Sequence, residues 1–171
     1  MKIKIITAID LNSGIGKNND LPWNLPADMQ FFKEQTQNQI VVMGRKNYDS
    51  LPNNYKPLPN RINVVLTRNK NFHAENVLIF NDFDKAISSI KNEYKNQNKD
   101  IFIIGGAQLY QEALNSKIVD EMYITLIQHQ FEVDTFFPTF NESDWKVEVM
   151  KTYLVDQKNK YPFVIKKYTK K

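Results

Sequence analysis

Asp28 is the acidic residue whose sequence neighbours point most clearly to chemistry. It falls in the first turn of a helix predicted to begin at Pro26, and there it shares a face with Phe31 and Phe32. The segment 21–23, Leu-Pro-Trp, adds apolar side chains just before that helix. A carboxylate facing such a cleft has a raised pKa and can bind a flat cationic or amidine-like heterocycle through paired hydrogen bonds. A structural alternative stays open, because an acid in a first turn also complements the helix dipole, and the tryptophan is equally suited to a core.

The five glycines suggest a second ligand-binding feature, because they occupy only three places: Gly14 with Gly16, Gly44, and Gly105 with Gly106. Each place follows a predicted strand, and ligands of open α/β sheets bind beyond the carboxyl ends of the strands. Glycine also lets the backbone approach a ligand closely. The strand–Gly–Gly–helix run at 104–108 directs helix N–H groups at an anion, most naturally a phosphate.

Cations lie beside these turns. Arg45 and Lys46 follow Gly44, and Arg68 ends the next predicted strand. Any one of these turns taken alone fits an ordinary tight turn with surface cations. Together they favour a phosphate-rich ligand. The Gly-x-Gly-x-x-Gly fingerprint is absent, so a nucleotide would be held in another way.

Composition limits the classes of protein open to this chain. Its 171 residues, 42% of them hydrophobic, suit one globular domain, 1–171, without an internal boundary. The chain has no cysteine and two well-separated histidines, so we expect neither disulfides nor a metal site. A net charge of +4 favours anionic small molecules. The sequence contains no basic helix with interleaved aromatic residues, so we do not expect nucleic-acid binding.

Hydropathy bears on location. The apolar run 3–9 is too short for the core of a signal peptide, and Asp10 interrupts it. No stretch approaches the roughly 18 apolar residues of a membrane span. We therefore expect a cytoplasmic protein that does not contact membranes.

The elements that must position these residues alternate between short β-branched runs and amphipathic helices, which indicates an α/β sheet. After residue 121 no helix is predicted, so we expect that end of the sheet to be antiparallel. The predicted strands are 3–9, 40–43, 62–67, 77–80, 101–104, 122–130, 146–154 and 163–168, and the predicted helices are 26–36, 46–51, 83–94 and 108–114.

Five motifs, in order along almost the whole chain, resemble those of the dihydrofolate reductase family. They are Ile15-Gly16 with Leu21-Pro22-Trp23-Asn24-Leu25-Pro26-Ala27-Asp28 and Phe32, then Val42-Met43-Gly44-Arg45-Lys46, Leu58-Pro59-Asn60-Arg61, Ile104-Gly105-Gly106-Ala107-Gln108-Leu109-Tyr110 and Asp134-Thr135-Phe136-Phe137-Pro138. The resemblance implies one mixed, mostly parallel eight-stranded sheet flanked by about four helices, with an antiparallel C-terminal hairpin. It also implies a monomer that transfers hydride from NADPH to C6 of 7,8-dihydrofolate, with protonation of N5.

The resemblance also implies roles for individual residues. Asp28 would anchor the pterin and help to protonate it, and Leu21 and Trp23, on a mobile loop at 16–23, are implied as further catalytic residues. Thr125 would hydrogen-bond that carboxylate, and Arg61 would pair with the α-carboxylate of the folate tail. Substrate contacts are implied for Ile6, Ala8, Asp28, Phe32, Leu58, Arg61, Ile104, Tyr110 and Thr125. Cofactor contacts are implied for Ala8, Ile15, Gly16, Gly44, Arg45, Lys46, Asn47, Leu66, Thr67, Arg68, Ile104, Gly105, Gly106, Ala107, Gln108, Leu109 and Thr135.

Four positions depart from the family pattern. Asn47 replaces a usual threonine, Ala107 a frequent third glycine, Asn60 a common glycine before Arg61, and Val133 a glycine of some members. None removes a group that the reaction needs. Two other functions remain possible: a flavin-pathway pyrimidine reductase of the same fold, and a non-catalytic pterin- or nucleotide-binding module.

Overall fold

Strands and helices alternate along the first two thirds of the chain in the computed structural model, which describes residues 1–171. The strands are β1 (Ile3–Ile9), β2 (Gly14–Gly16), β3 (Ile40–Gly44), β4 (Ile62–Leu66), β5 (Val77–Phe80), β6 (Ile101–Ile103), β7 (Glu121–Ile127), β8 (Thr135–Phe136), β9 (Trp145–Tyr153) and β10 (Phe163–Lys170). The helices are α1 (Pro26–Thr36), α2 (Arg45–Ser50), α3 (Phe83–Glu93) and α4 (Ala107–Asn115), with 3-10 turns at Asn53–Tyr55 and Glu142–Asp144. No helix has both the length and the apolar character needed to cross a membrane.

Eight strands form one sheet in the order β5-β4-β3-β6-β1-β7-β10-β9. The pairs among β5, β4, β3, β6, β1 and β7 are parallel, whereas β10 runs antiparallel to β7 and to β9. The predicted mixed sheet with four helices is confirmed. The antiparallel prediction holds for β9 and β10, but β7 also pairs in parallel with β1. The short strands β2 and β8, which form a separate two-stranded sheet, were not predicted.

Alternation along the buried strands builds a core on each face of the sheet. On β1, Ile3 and Ile5 join one core, which α3 and α4 cover with residues such as Ile90 and Leu109. Ile6 points the other way and joins the second core, to which α1 contributes Phe31. The helix that carries Asp28 therefore covers the face of β1 opposite to the one covered by α3 and α4.

Glu121 ties three neighbouring strands together at the start of β7. Its side chain is 3% exposed, and its carboxylate lies 2.6 Å from Lys2 Nζ and 3.4 Å from the Nζ atoms of Lys4 and Lys167. Burial opposes ionisation, but the lysines outweigh it and lower the pKa of Glu121 from 4.5 to about 2.

Glu121→Gln should therefore destabilise the fold near neutral pH by about 2 to 3 kcal/mol. A carboxyl group with a lowered pKa stabilises the folded state above its unfolded pKa. The difference between the two proteins should shrink as the pH falls from about 4.5 to about 2. Urea unfolding across this range measures it. Glu148→Gln removes an exposed partner of Lys146 and should change stability by less than about 0.5 kcal/mol. An equal loss in both variants would contradict this role of Glu121.

Candidate active site

A hydrogen bond joins α1 to β7 at the centre of the candidate site. Thr125 Oγ1 donates to Asp28 Oδ1 at 2.6 Å, and Thr125 is 2% exposed. Asp28 lies in the first turn of α1 because Pro26 starts the helix, and Thr125 pairs with Ala8 of β1. The second carboxylate oxygen of Asp28 receives no hydrogen bond from the protein.

The protonation of Asp28 is shifted toward neutral pH. Burial raises the pKa of Asp28 from 3.8 to about 6, and the hydrogen bond from Thr125 opposes that rise. The carboxyl group can therefore hold or release a proton within the working range of a general acid. A half-buried acid with a fixed hydrogen-bond donor is not a solvated helix cap, and the catalytic role of Asp28 stays a prediction.

Ile6, in the middle of β1, and Ile104, directly after the neighbouring strand β6, each accept a side-chain hydrogen bond at the backbone carbonyl. Tyr110 donates its hydroxyl to Ile6 O at 3.2 Å, and burial raises the pKa of that phenol, so it remains a donor. Asn47 donates its amide to Ile104 O at 3.0 Å. Asn47, which stands where the family pattern has threonine, is thus hydrogen-bonded to the β6–α4 turn.

Arg61 lies over the outer part of α1. Its guanidinium carbon is 6.0 Å from the centre of the Phe32 ring, and its Nη1 donates to Thr36 Oγ1 at 3.1 Å. It forms no ion pair with an acidic residue, and burial lowers its pKa, but an arginine guanidinium stays cationic in proteins. Asn60 adopts a φ of +56°, as expected for asparagine at a position where glycine is common.

Two of the glycine turns meet. Gly44 N–H donates to Gly105 O at 2.9 Å, and the Gly105–Gly106 peptide bond is cis. Gly105 has a φ of +115°, and an added Cβ would lie 3.2 Å from the Tyr110 hydroxyl oxygen, so this position requires glycine. Ala107 has no such requirement and starts α4.

The loop after β2 meets the start of α2 at a polar cleft of about 490 Å³. Its lining residues are Asn18, Asn19, Asp20, Arg45, Lys46, Asp49 and Ser50. Arg45 pairs with Asp49 at 2.8 Å, whereas Lys46 and Arg68 form no ion pair. Thr67 and Arg68 follow β4 directly, and Gln108 is exposed in the first turn of α4.

The loop 16–23 is anchored to β8 at its base. Asp134 N–H donates to Gly16 O at 3.0 Å, and Asn18 N–H donates to Asp134 Oδ2 at 3.0 Å. Trp23 is buried against Phe131, with ring centres 5.2 Å apart. Leu21 is 48% exposed.

Several predicted contact residues are partly or fully buried near these turns. Ile6, Leu58, Gly105, Leu109 and Tyr110 are buried, while Ala8, Ile15, Leu66, Ile104, Gly106 and Thr135 are half-buried. Thr135 pairs with Gly16 in the small sheet. The residues around Asp28, around Arg61 and around the paired glycine turns form three groups, and the first two share α1.

Asp10 and Asn63 were missed as positioning residues. Asp10 is fully buried, and its carboxylate accepts N–H groups from Asn12, Gly14 and Phe131 at 2.7 to 2.9 Å. Asn63 makes two 2.9 Å hydrogen bonds with the backbone of Leu58. A polar residue inside or at the end of an apolar strand was the available signal.

Fold and site together define an α/β protein with a half-buried acid on its first helix and two glycine turns that meet at the carboxyl ends of parallel strands. A family model described as dihydrofolate reductase matches residues 2–170. The dihydrofolate reductase of Buchnera aphidicola subsp. Baizongia pistaciae is 41% identical and that of Bacillus subtilis 38%. These matches cover 96% and 99% of this chain, and 94% and 95% of those proteins.

A solved structure of dihydrofolate reductase from Enterococcus faecalis, complexed with NADP(H) and RAB-propyl, has a TM-score of 0.85 to this chain. It is 34% identical, and the match covers 99% of this chain and 96% of that one. The chain belongs to the dihydrofolate reductase family. The family resemblance predicted from the motifs is confirmed.

Asp28→Asn should make the protein more stable at about pH 8. Because the pKa of Asp28 is raised, its favourable contribution is present at low pH and is lost as the pH rises through about 6. A neutral amide still accepts from Thr125 and avoids the desolvated charge. The free energy of unfolding should rise by about 1 to 2 kcal/mol at about pH 8 and change little at about pH 4. Urea unfolding at both pH values measures this, and equal stability at about pH 8 would contradict the raised pKa.

Proposed function

We propose that this chain catalyses the NADPH-dependent reduction of 7,8-dihydrofolate to 5,6,7,8-tetrahydrofolate. The observation that carries the proposal is the half-buried Asp28 carboxyl group, held by Thr125 with one oxygen still available. Family membership supports the reaction, and the chemistry of the side chains supports the orientation of the substrate.

Asp28 is the proposed anchor for the pterin ring. The ring presents an amino group and an adjacent ring nitrogen on one edge, and a carboxylate pairs with two such donors. Thr125 fixes the orientation of the carboxylate, so the pterin is oriented by the same hydrogen bond that joins α1 to β7. Ile6, Ala8, Phe32, Leu58, Ile104 and Tyr110 are the proposed neighbours of the ring and of the group that follows it.

Asp28 also supports the delivery of a proton to N5. Protonation of the N5=C6 imine makes C6 more electrophilic, so an acid near neutral pKa lowers the barrier to hydride addition. Because the same carboxyl group pairs with the amino edge of the ring, it does not touch N5, and the proton reaches N5 through a water molecule. Trp23, buried on the loop 16–23, and Leu21 are proposed to shield this region from bulk water.

Arg61 is proposed to bind the α-carboxylate of the folate tail. It is half-buried, cationic and free of an acidic partner, and Phe32 lies beneath it. Its Nε and Nη1 are already held by Pro59 O and Thr36 Oγ1, so the side chain is oriented before a ligand arrives. The planar guanidinium suits two parallel hydrogen bonds to a carboxylate.

The residues around the paired glycine turns suit NADPH, which supplies the hydride when bound. An added Cβ on Gly106 would meet no atom within 4 Å, so the backbone there leaves open space for a ligand. Gly44, Gly105, Ala107, Gln108 and Leu109 are the proposed backbone and helix-start contacts. Proposed phosphate and sugar contacts are Arg45, Lys46, Asn47, Leu66, Thr67 and Arg68, and the proposed nicotinamide neighbours are Ala8, Ile15, Gly16, Ile104 and Thr135.

We further propose that residues 1–171 form one domain, which acts as a monomer in the cytoplasm. Both cores share the central sheet, so no part of the described chain has a core of its own.

Asp28→Asn tests the proposed function directly. Oxidation of the nicotinamide, followed with dihydrofolate, should be faster with NADPH than with NADH in the unaltered protein. The variant should lose activity by about two or more orders of magnitude near pH 7, while its NADPH affinity stays nearly unchanged, because the carboxyl group acts on the pterin. Near-normal turnover in the variant would refute the role of Asp28. Turnover of the flavin-pathway pyrimidine in place of dihydrofolate would favour the other reductase.

The pH dependence of single-turnover hydride transfer accompanies this test. The protonated carboxyl group persists up to about pH 6, so the rate should be highest below that value and fall by up to about tenfold per unit above it. The residual activity of Asp28→Asn should lack this inflection. An unchanged inflection would assign it to another group.

Arg61→Ala should weaken dihydrofolate binding by about 2 to 3 kcal/mol, because a carboxylate loses its charged partner. Arg61→Lys should restore only part of this, since an ammonium group lacks the planar pair of donors. Equilibrium titration with dihydrofolate and with a pterin lacking the glutamate tail measures the effect. Only the intact substrate should bind more weakly, and an equal loss for both ligands would count against a tail contact.

A further inference from the structure

The N-terminus of α1 is capped by a residue from far along the chain. The preceding residue, Leu25, offers no side-chain cap, and the N–H of Ala27 has no partner within the helix. Asn159 supplies one, since its Oδ1 accepts from Ala27 N at 3.0 Å. Ala27 immediately precedes Asp28, so this bond holds the backbone next to the proposed catalytic carboxyl group.

Asn159 is itself held rigidly. It is 5% exposed, and its Nδ2 donates to both carboxylate oxygens of Asp156 at 3.1 and 3.2 Å. Its backbone N–H donates to Asp156 Oδ1 at 2.6 Å. The partners fix the orientation of the amide: a backbone donor requires Oδ1, and a carboxylate requires Nδ2.

The hairpin that presents Asn159 also borders Thr125. Asn159 lies between β9 and β10, and Ile165 of β10 pairs with Thr125 of β7. Gln128 N–H, just after β7, donates to Pro162 O at 2.9 Å. The hairpin therefore contacts both sides of the Asp28–Thr125 hydrogen bond, α1 through Asn159 and β7 through β10.

We propose that Asn159 is a positioning residue for catalysis: it caps α1 from the β9–β10 connection and thereby fixes Asp28 relative to Thr125. This inference rests on the proposed function. Asn159 has no catalytic role of its own in this proposal, because its side-chain polar atoms are occupied by Ala27 and Asp156. A small displacement of a catalytic group strongly reduces rate, so a cap that holds the start of α1 acts on turnover through Asp28.

Asn159→Ala removes the cap. Single-turnover hydride transfer to dihydrofolate should slow by about tenfold, whereas the Kd for NADPH should change by less than about twofold. The Ala27 amide hydrogen should exchange faster with solvent, which NMR or mass spectrometry detects without any reaction. Gln157→Ala is the matched control, because Gln157 is an exposed residue of the same connection and makes no hydrogen bond through its side chain to α1.

Exchanging Asn159 and Asp156 tests whether the hydrogen bonds, rather than an asparagine at position 159, determine the rate. Asn159→Asp keeps an acceptor for Ala27 but places two carboxylates about 3 Å apart, as the present amide–carboxylate distances imply. It should therefore be slow. Adding Asp156→Asn restores one donor and one carboxylate with their places exchanged. The double variant should recover the rate to within about threefold of the unaltered protein.

Faster exchange at Ala27 with an unchanged hydride-transfer rate in Asn159→Ala would overturn the inference. An equal rate loss in Gln157→Ala, or no recovery in a folded double variant, would also overturn it. Failure of the unaltered protein to reduce dihydrofolate would instead refute the proposed function, and Ala27 exchange would still show whether Asn159 caps α1.

Discussion

The hydrogen bond from Thr125 to Asp28 connects the sheet to the helix that covers it, and the site is organised around it. A half-buried carboxyl group is stable only when its surroundings compensate for lost hydration, and here one donor compensates in part. The desolvation that Thr125 does not offset keeps the Asp28 carboxyl group protonated up to about pH 6. Stability and reactivity therefore depend on one distance, that between the start of α1 and the middle of β7.

Local sequence patterns predicted most of the scaffold. Helix α1 was predicted at its observed bounds, because Pro26 marks its start and Phe31 and Phe32 follow at helical spacing. The buried parallel strands were predicted because short, continuous β-branched runs are typical of strands buried on both faces of a sheet. The family motifs then brought Thr125 and Arg61 into the site, which neither composition nor periodicity indicated. The confirmed family and fold support that step, and the individual roles remain proposals.

Contacts between distant segments could not be predicted in the same way. Strands β2 and β8 are only three and two residues long, and their pairing depends on Asp10 holding the turn before β2 against Phe131. Asn159 lies 132 residues from its partner in α1. Asp10 is marked only by its place at the end of an apolar strand, and the distant partner of neither residue is marked, because each satisfies a backbone donor that only the folded chain brings near. Single polar residues in polar connections look alike in sequence whether they are solvated or buried.

Gly14 and Val133 fit together as a small residue against a large one across the base of the loop 16–23. A Cβ on Gly14 would lie 2.6 Å from Val133 Cγ2 and 2.9 Å from Asp10 Oδ1, closer than atoms can approach. The Val133 side chain therefore fills the space that a side chain at position 14 would occupy. In this chain, a larger side chain at 14 therefore requires both a smaller one at 133 and a shift of the Asp10 carboxylate. Substitutions at this junction thus have a preferred order, because shortening residue 133 before enlarging residue 14 disturbs the small sheet less than the reverse.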